Sequence, residues 1–254
     1  LATGCGLLAA RTFIPGLSAG PALAAADAIT LDVVTRNIDV NGKAAKVFGL
    51  TGPDGKPGLT LTEGQTYSVN LNNTLSEETS IHWHGLIPAW DMDGVPGMPM
   101  PPIAAGTSRA FTLPSGKTGT HWMHAHTLQE QALLAAPLIV TPSQKRDEQD
   151  VVILLHDFSF KTPDELLAGL KSGGMGGMNM QGMDHSKMTG MNMQGMPMKG
   201  MDHSKMSGMG GMAGMDLNDI EYDAFLAKDH TLKGPEGVQV EKGGKVRLRI
   251  INGA

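Results

Sequence analysis

Thr66-Tyr67-Ser68-Val69-Asn70-Leu71 alternates polar and apolar side chains without a break. A period of two is the signature of a half-buried strand. Working outward, Leu59-Thr60-Leu61-Thr62 precedes it, after the turn signal Gly52-Pro53-Asp54-Gly55, and Leu31-Asp32-Val33-Val34-Thr35 opens the series. On the other side come Ile81-His82-Trp83-His84, Arg109-Ala110-Phe111-Thr112-Leu113, Thr120 to His126 and Pro137-Leu138-Ile139-Val140. Short strands at this spacing, split by Gly and Pro, predict an all-β sandwich or barrel. The stretch from Asp27 to about Thr141 suits one such domain.

Ser143 to Asp150 is polar throughout and reads as a linker, and Val151-Val152-Ile153-Leu154-Leu155 then starts a new buried strand. The predicted organisation is a first domain over 27–146 and an incomplete second one over 147–254. Val238-Gln239-Val240 and Lys245 to Ile251 are expected as later strands, and Asp164 to Leu170 as a short helix, with Pro163 and Asp164 suited to its first turn.

Residues 1–26 differ in kind. A short apolar start, a turn-like Pro15 to Gly20 and the small residues Ala22 to Ala26 resemble the back half of an export signal, against the alternative of an ordinary Ala-rich helix. That predicts a periplasmic protein. The start at Leu1 and the stop within a strand-like Arg249 to Ala254 read as the interior of a longer protein. The net charge of −5, with no basic stripe, gives no support for nucleic-acid binding. No apolar run approaches the roughly 18 residues of a membrane span. Cys5, in the leader, is the single cysteine, so residues 27–254 offer neither a disulfide nor a thiolate.

The chemistry lies in two histidine pairs, His82 and His84, then His124 and His126. On a strand, residues i and i+2 share a face about 7 Å apart. Each pair can aim two imidazoles at one space between neighbouring strands. One such pair is as easily a satisfied structural feature as a ligand set; two in one small domain favour a multinuclear transition-metal site, for which imidazole is suited.

His82-Trp83-His84-Gly85, Met92-Asp93-Gly94-Val95-Pro96-Gly97 and Gly119-Thr120-His121-Trp122-Met123-His124-Ala125-His126 resemble the first two copper motifs of the multicopper oxidases. The tail Leu128-Gln129-Glu130-Gln131 and a Met-rich insert are similar to the copper-resistance branch. The resemblance implies cupredoxin-like Greek-key domains and a cluster of three coppers held by eight histidines. It assigns His82 to the type 2 copper, His84, His124 and His126 to the type 3 pair, and to Asp93 a part in moving protons to dioxygen. It also implies that the remaining ligands, with the cysteine of the type 1 copper, belong to a C-terminal cupredoxin domain that would be this chain's partner. His121 and Met123 stand where relatives often carry aromatic residues, and Ala125 where Ser is common. From its strand parity His121 is expected away from the cluster face; His156 is expected to be structural or interfacial, and His230 to be on the surface.

Residues 171–216 hold fourteen of the eighteen methionines and repeat the unit Met-Asp-His-Ser-Lys-Met at Met183 to Met188 and Met201 to Met206. Thioethers select Cu(I), and the segment has no other large apolar residue to pack with, so it reads as a copper collector. The activity implied by the resemblance is one-electron oxidation of Cu(I) or phenolic substrates coupled to reduction of dioxygen to water, in copper resistance; the alternative is that this stretch acts as a non-catalytic copper-sequestering module. Nitrite reductase-like cupredoxins fit less well, because the Leu128 to Gln131 tail and the insert point away from them.

Overall fold

The structure is a computed structural model that describes residues 28–176 and 220–254. The expected export signal and most of the Met-rich insert lie outside the described residues.

Two four-stranded sheets form the first layer pair. One has the order β2-β1-β4-β6, from β1 (Ile29–Val40), β2 (Lys43–Thr51), β4 (Thr66–Asn73) and β6 (Ser108–Pro114). The other has the order β3-β8-β7-β5, from β3 (Leu59–Thr62), β5 (Ile81–His82), β7 (Gly119–Ala125) and β8 (Ala135–Thr141). Parallel pairing of β1 with β4 and of β3 with β8, among otherwise antiparallel neighbours, is the mark of crossing connections rather than of a simple meander. Alternation explains the core: Leu31, Val33, Val69, Leu71, Phe111, Leu113, Met123 and Leu138 all point inward between the sheets, with Trp83 fully enclosed among them.

A third sheet, β10-β9-β11, is built from β9 (Gln149–Phe158), β10 (Ala224–Ala227) and β11 (Val246–Asn252), with β9 and β11 parallel. It packs on the first sandwich through the β1–β2 hairpin, which uses opposite faces at its two ends. Leu31 and Val33 serve the first core, while Ile38, Val40, Ala45 and Val47 pack with Phe158, Ala224 and Leu226. Arg249 adds a polar tie. Its buried guanidinium donates to Thr120 Oγ1 at 2.9 Å and pairs with Asp150 at 3.0 Å.

The structure extends or corrects several expectations. β2 and β10 were not foreseen. The helix, α1, runs over Pro163–Gly176, past Leu170 and into the start of the Met-rich segment; the Glu165 amide donates to the Thr162 hydroxyl and the Thr162 amide to the Glu165 carboxylate, capping its first turn reciprocally. Val238-Gln239-Val240 is not a strand: Val238 and Val240 are exposed, and no pairing partner exists for them among the described residues. No described helix is long and apolar enough to cross a membrane.

Candidate metal centre

The site is assembled at the edge of the second sheet. β5 is only two residues long, and its register against β7 sets His82 directly opposite His124. His84 lies beyond the strand, in a turn made possible by Gly85, whose φ of +92° suits glycine. The turn folds the His84 ring back, so that its centroid lies 5.5 Å from those of both His82 and His124. His126 follows the end of β7, where its amide donates to Ser80 O at 3.0 Å; its ring lies 6.0 Å from His82 and 6.1 Å from His124.

The four rings therefore converge, but unequally. His82, His84 and His124 each offer a ring nitrogen, and these atoms lie within 4.8 Å of one another; His126 stands outside that triad, exposed. His84 Nδ1 and His124 Nε2 are 3.3 Å apart. Two nitrogens each about 2.0 Å from one ion, at a tetrahedral angle, are separated by about 3.3 Å.

Hydrogen bonds fix which nitrogen is bare. His82 Nδ1 faces two acceptors, Asp93 O at 2.9 Å and Asp93 Oδ1 at 3.4 Å, so it carries the proton and Nε2 keeps its lone pair. His124 Nδ1 likewise faces Glu130 Oε1 at 3.0 Å and Ala125 O at 3.1 Å, leaving Nε2 bare toward His84. Burial, then the neighbouring His124 and His82, hold the His84 pKa below the ordinary histidine range. That favours the neutral, ligand-competent imidazole.

Asp93 is placed by the backbone. A short 3-10 turn over Trp90–Met92 ends on it, and Gly94 follows at φ +83°, pressed against β5 so tightly that a Cβ would stand 1.8 Å from Ile81 O. The Ser80 hydroxyl donates to Gly94 O and secures the contact. His82, His84, His124 and Asp93 are thus brought to one place, with His126 at its margin.

His121 is neither at the cluster face nor simply on the surface. Its ring fills the notch left by Gly85 and Gly119, where a Cβ at either position would approach it to 2.4 Å, and burial lowers its pKa. His156 is buried in β9, and His230 is exposed. Two residues next to the rings were not singled out beforehand. Trp122 stacks on His124 with centroids 4.1 Å apart and an interplanar angle of 17°. Glu130 reaches His124 from a 3-10 turn over Leu128–Ala132. The parity of Trp122, two residues from His124 on one strand, could have found it; nothing in the spacing announces Glu130.

Residues 32–145 match the family model described as multicopper oxidase. Copper resistance protein A of Escherichia coli is 34% identical over 149 residues, covering 56% of this chain and 24% of that protein. Multicopper oxidase MmcO of Mycobacterium tuberculosis is 28% identical over 233 residues, covering 89% of this chain and 42% of that protein. Among solved structures, the blue copper oxidase from Nitrosomonas europaea shares the fold, with a TM-score of 0.57 at 20% identity over 88% of this chain and 60% of that one. The chain spans about a quarter of the length of copper resistance protein A. Taken with the motifs, these matches make residues 32–145 a multicopper oxidase domain, similar to that of the copper resistance proteins, and copper is the metal that this domain implies.

Proposed function

We propose that the protein to which this chain belongs oxidises Cu(I) or phenolic substrates one electron at a time and reduces dioxygen to water, in copper resistance and in the periplasm. The observation that carries this reading is the cross-strand pair His82 and His124, with His84 and His126 closing on it. The donor set fits copper: neutral imidazoles with bare nitrogens at single-ion spacing, and ring protons already committed to oxygen acceptors. His84 and His124 would share one ion of the type 3 pair, His126 would serve the other, and His82 the type 2 ion. When bound, copper supplies one-electron redox chemistry and a place for dioxygen to be reduced.

The chain's own residues do the rest. Gly94 holds Asp93 beside the His82 ring, where its half-exposed carboxylate can take protons from water and pass them inward; reduction of dioxygen to water consumes a proton with every electron. Trp83 and the apolar core behind the rings exclude water from one side. In this reading 27–146 forms a first cupredoxin-like domain and 147–254 part of a second, residues 1–26 direct export, and a C-terminal cupredoxin domain supplies the other ligands and the type 1 site. A narrower reading, copper sequestration without turnover, is favoured by one feature: the repeated Met-Asp-His-Ser-Lys-Met unit, whose thioethers select Cu(I).

Two measurements decide. The chain is loaded with Cu(II) and compared with the His84→Ala, His124→Ala double variant; the variant should lose bound copper, and equal stoichiometry would overturn the site. In the whole protein, Asp93→Ala should slow reoxidation by dioxygen in stopped flow while substrate-driven reduction keeps its rate. Normal reoxidation would remove Asp93 from proton transfer, and an unreactive parent protein would leave the sequestering role.

A further inference from the structure

The cross-strand pair is matched by a second pairing behind it. His82 has a carboxylate at its Nδ1 from Asp93, and His124 has one at its Nδ1 from Glu130, at 3.0 Å. We propose that Glu130 is a positioning residue, fixing the tautomer and orientation of His124 so that Nε2 is presented to copper; this rests on the reading of the histidines as copper ligands.

The placement is built, not incidental. The 3-10 turn carrying Glu130 begins at Thr127, whose hydroxyl accepts from Gln129 N, and closes at Leu133 in the left-handed region, with its amide bonded to Glu130 O. The neighbouring Gln129 is buried and anchored at both ends of its amide: Oε1 accepts from Thr79 Oγ1 at 2.6 Å, and Nε2 donates to Glu78 O at 3.1 Å. These bonds tie the turn to the segment that leads into β5. The histidine at β5 and the carboxylate serving its cross-strand partner are therefore held by one frame.

His124 has little other freedom. Its side chain is 9% exposed and lies flat against Trp122. What remains open is the ring flip that would exchange its two nitrogens, and the carboxylate opposes it by rewarding the N–H at Nδ1. Ala125 O, at 3.1 Å, is a second acceptor there, so the contribution of Glu130 is its charge as well as its geometry. A carboxylate on the far nitrogen also raises the basicity of the ligating one, and removing such a partner typically costs about 10–100-fold in metal affinity.

The test uses the 254-residue chain as wild type, Glu130→Gln and Glu130→Ala. Long-range nitrogen–proton NMR of the metal-free proteins reports the His124 tautomer. Competition against a chelator reports Cu(II) affinity, with the ions lost in the His84→Ala, His124→Ala variant defining those at the cluster. Glu130→Gln, which keeps a hydrogen-bonding group but not the charge, should weaken cluster Cu(II) about tenfold, and Glu130→Ala should weaken it further and mix the tautomers. If Glu130→Ala does not fold, Glu130→Gln decides alone. Wild-type Cu(II) affinity in Glu130→Gln with an unchanged tautomer overturns the positioning role, even if stability falls. A wild type whose Cu(II) binding matches the histidine double variant overturns the copper reading instead.

Discussion

Replacing Gly94 by Ala should unseat Asp93 from His82, and the size of the effect can be worked from the contact. Alanine in the left-handed region, at φ +83°, costs about 1–2 kcal/mol by itself. The added Cβ would stand 1.8 Å from Ile81 O and 2.7 Å from Ile81 C. Both are backbone atoms of β5 and cannot swing aside, so the loop must retreat by roughly 1.2 Å to reach the 3.0 Å that Cβ contacts respect. A retreat of that size breaks the bond from Ser80 Oγ to Gly94 O and the bond from His82 Nδ1 to Asp93 O. Each is worth about 1 kcal/mol net. The total is about 3–4 kcal/mol, which for a chain of this size lowers Tm by about 6–16 °C. Gly97 is the internal control. It has φ +76° and nothing within 4 Å, so Gly97→Ala should cost the backbone term alone. Thermal unfolding by circular dichroism compares the two, with histidine NMR following the His82 Nδ1 proton. Equal Tm losses for the two variants would refute the close-approach argument, because they would leave the clash worth nothing.

Two further outcomes follow from other parts of the molecule. His156 is buried with its pKa held below the ordinary 6.5, chiefly by desolvation, against an opposing backbone hydrogen bond with Gly253. The unfolded chain therefore binds the extra proton first, so stability is complete above about pH 6.5 and falls as pH drops through and below that value; His156→Gln should flatten the fall in denaturant melts between pH 5 and 7.5, and an unchanged slope would exclude it as the source. Replacing residues 177–216, beyond the end of α1, by a Gly-Ser segment should leave the metal-free Tm nearly unmoved but remove Cu(I) ions that survive acid pH, since thioethers do not titrate; equal Cu(I) binding by both chains would make the methionines a spacer.

The alternation in Thr66 to Leu71 and the histidine spacing carried most of the fold and site. β4 and β6 are regular, one face buried, and read directly from period two. β2 was hidden because it opens on lysines and small residues, Lys43-Ala44-Ala45-Lys46, of which only Ala45 is buried, packed with residues of the third sheet. Val238 to Val240 shows the converse: alternation without a neighbour to pair with makes no strand. At the site, strand parity placed His82 and His124, but His84 sits in a turn and reaches the cluster through the backbone freedom of Gly85. The link from Glu130 to His124 was not legible because it depends on a 3-10 turn anchored through Gln129 to a segment some 50 positions earlier in the chain.

The two-residue β5 has one more consequence. An edge strand with free amides and carbonyls is a template on which other chains can aggregate. Here the edge of β7 is already spoken for beyond the short ladder: Trp122 N donates to His84 O, and His126 N donates to Ser80 O. These bonds belong to the main chain and not to the imidazoles. Substituting the rings therefore leaves these two bonds in place. Protection of this end of the sheet lies in the path of the backbone, and the side chains at positions 82 and 124 are free to vary upon it.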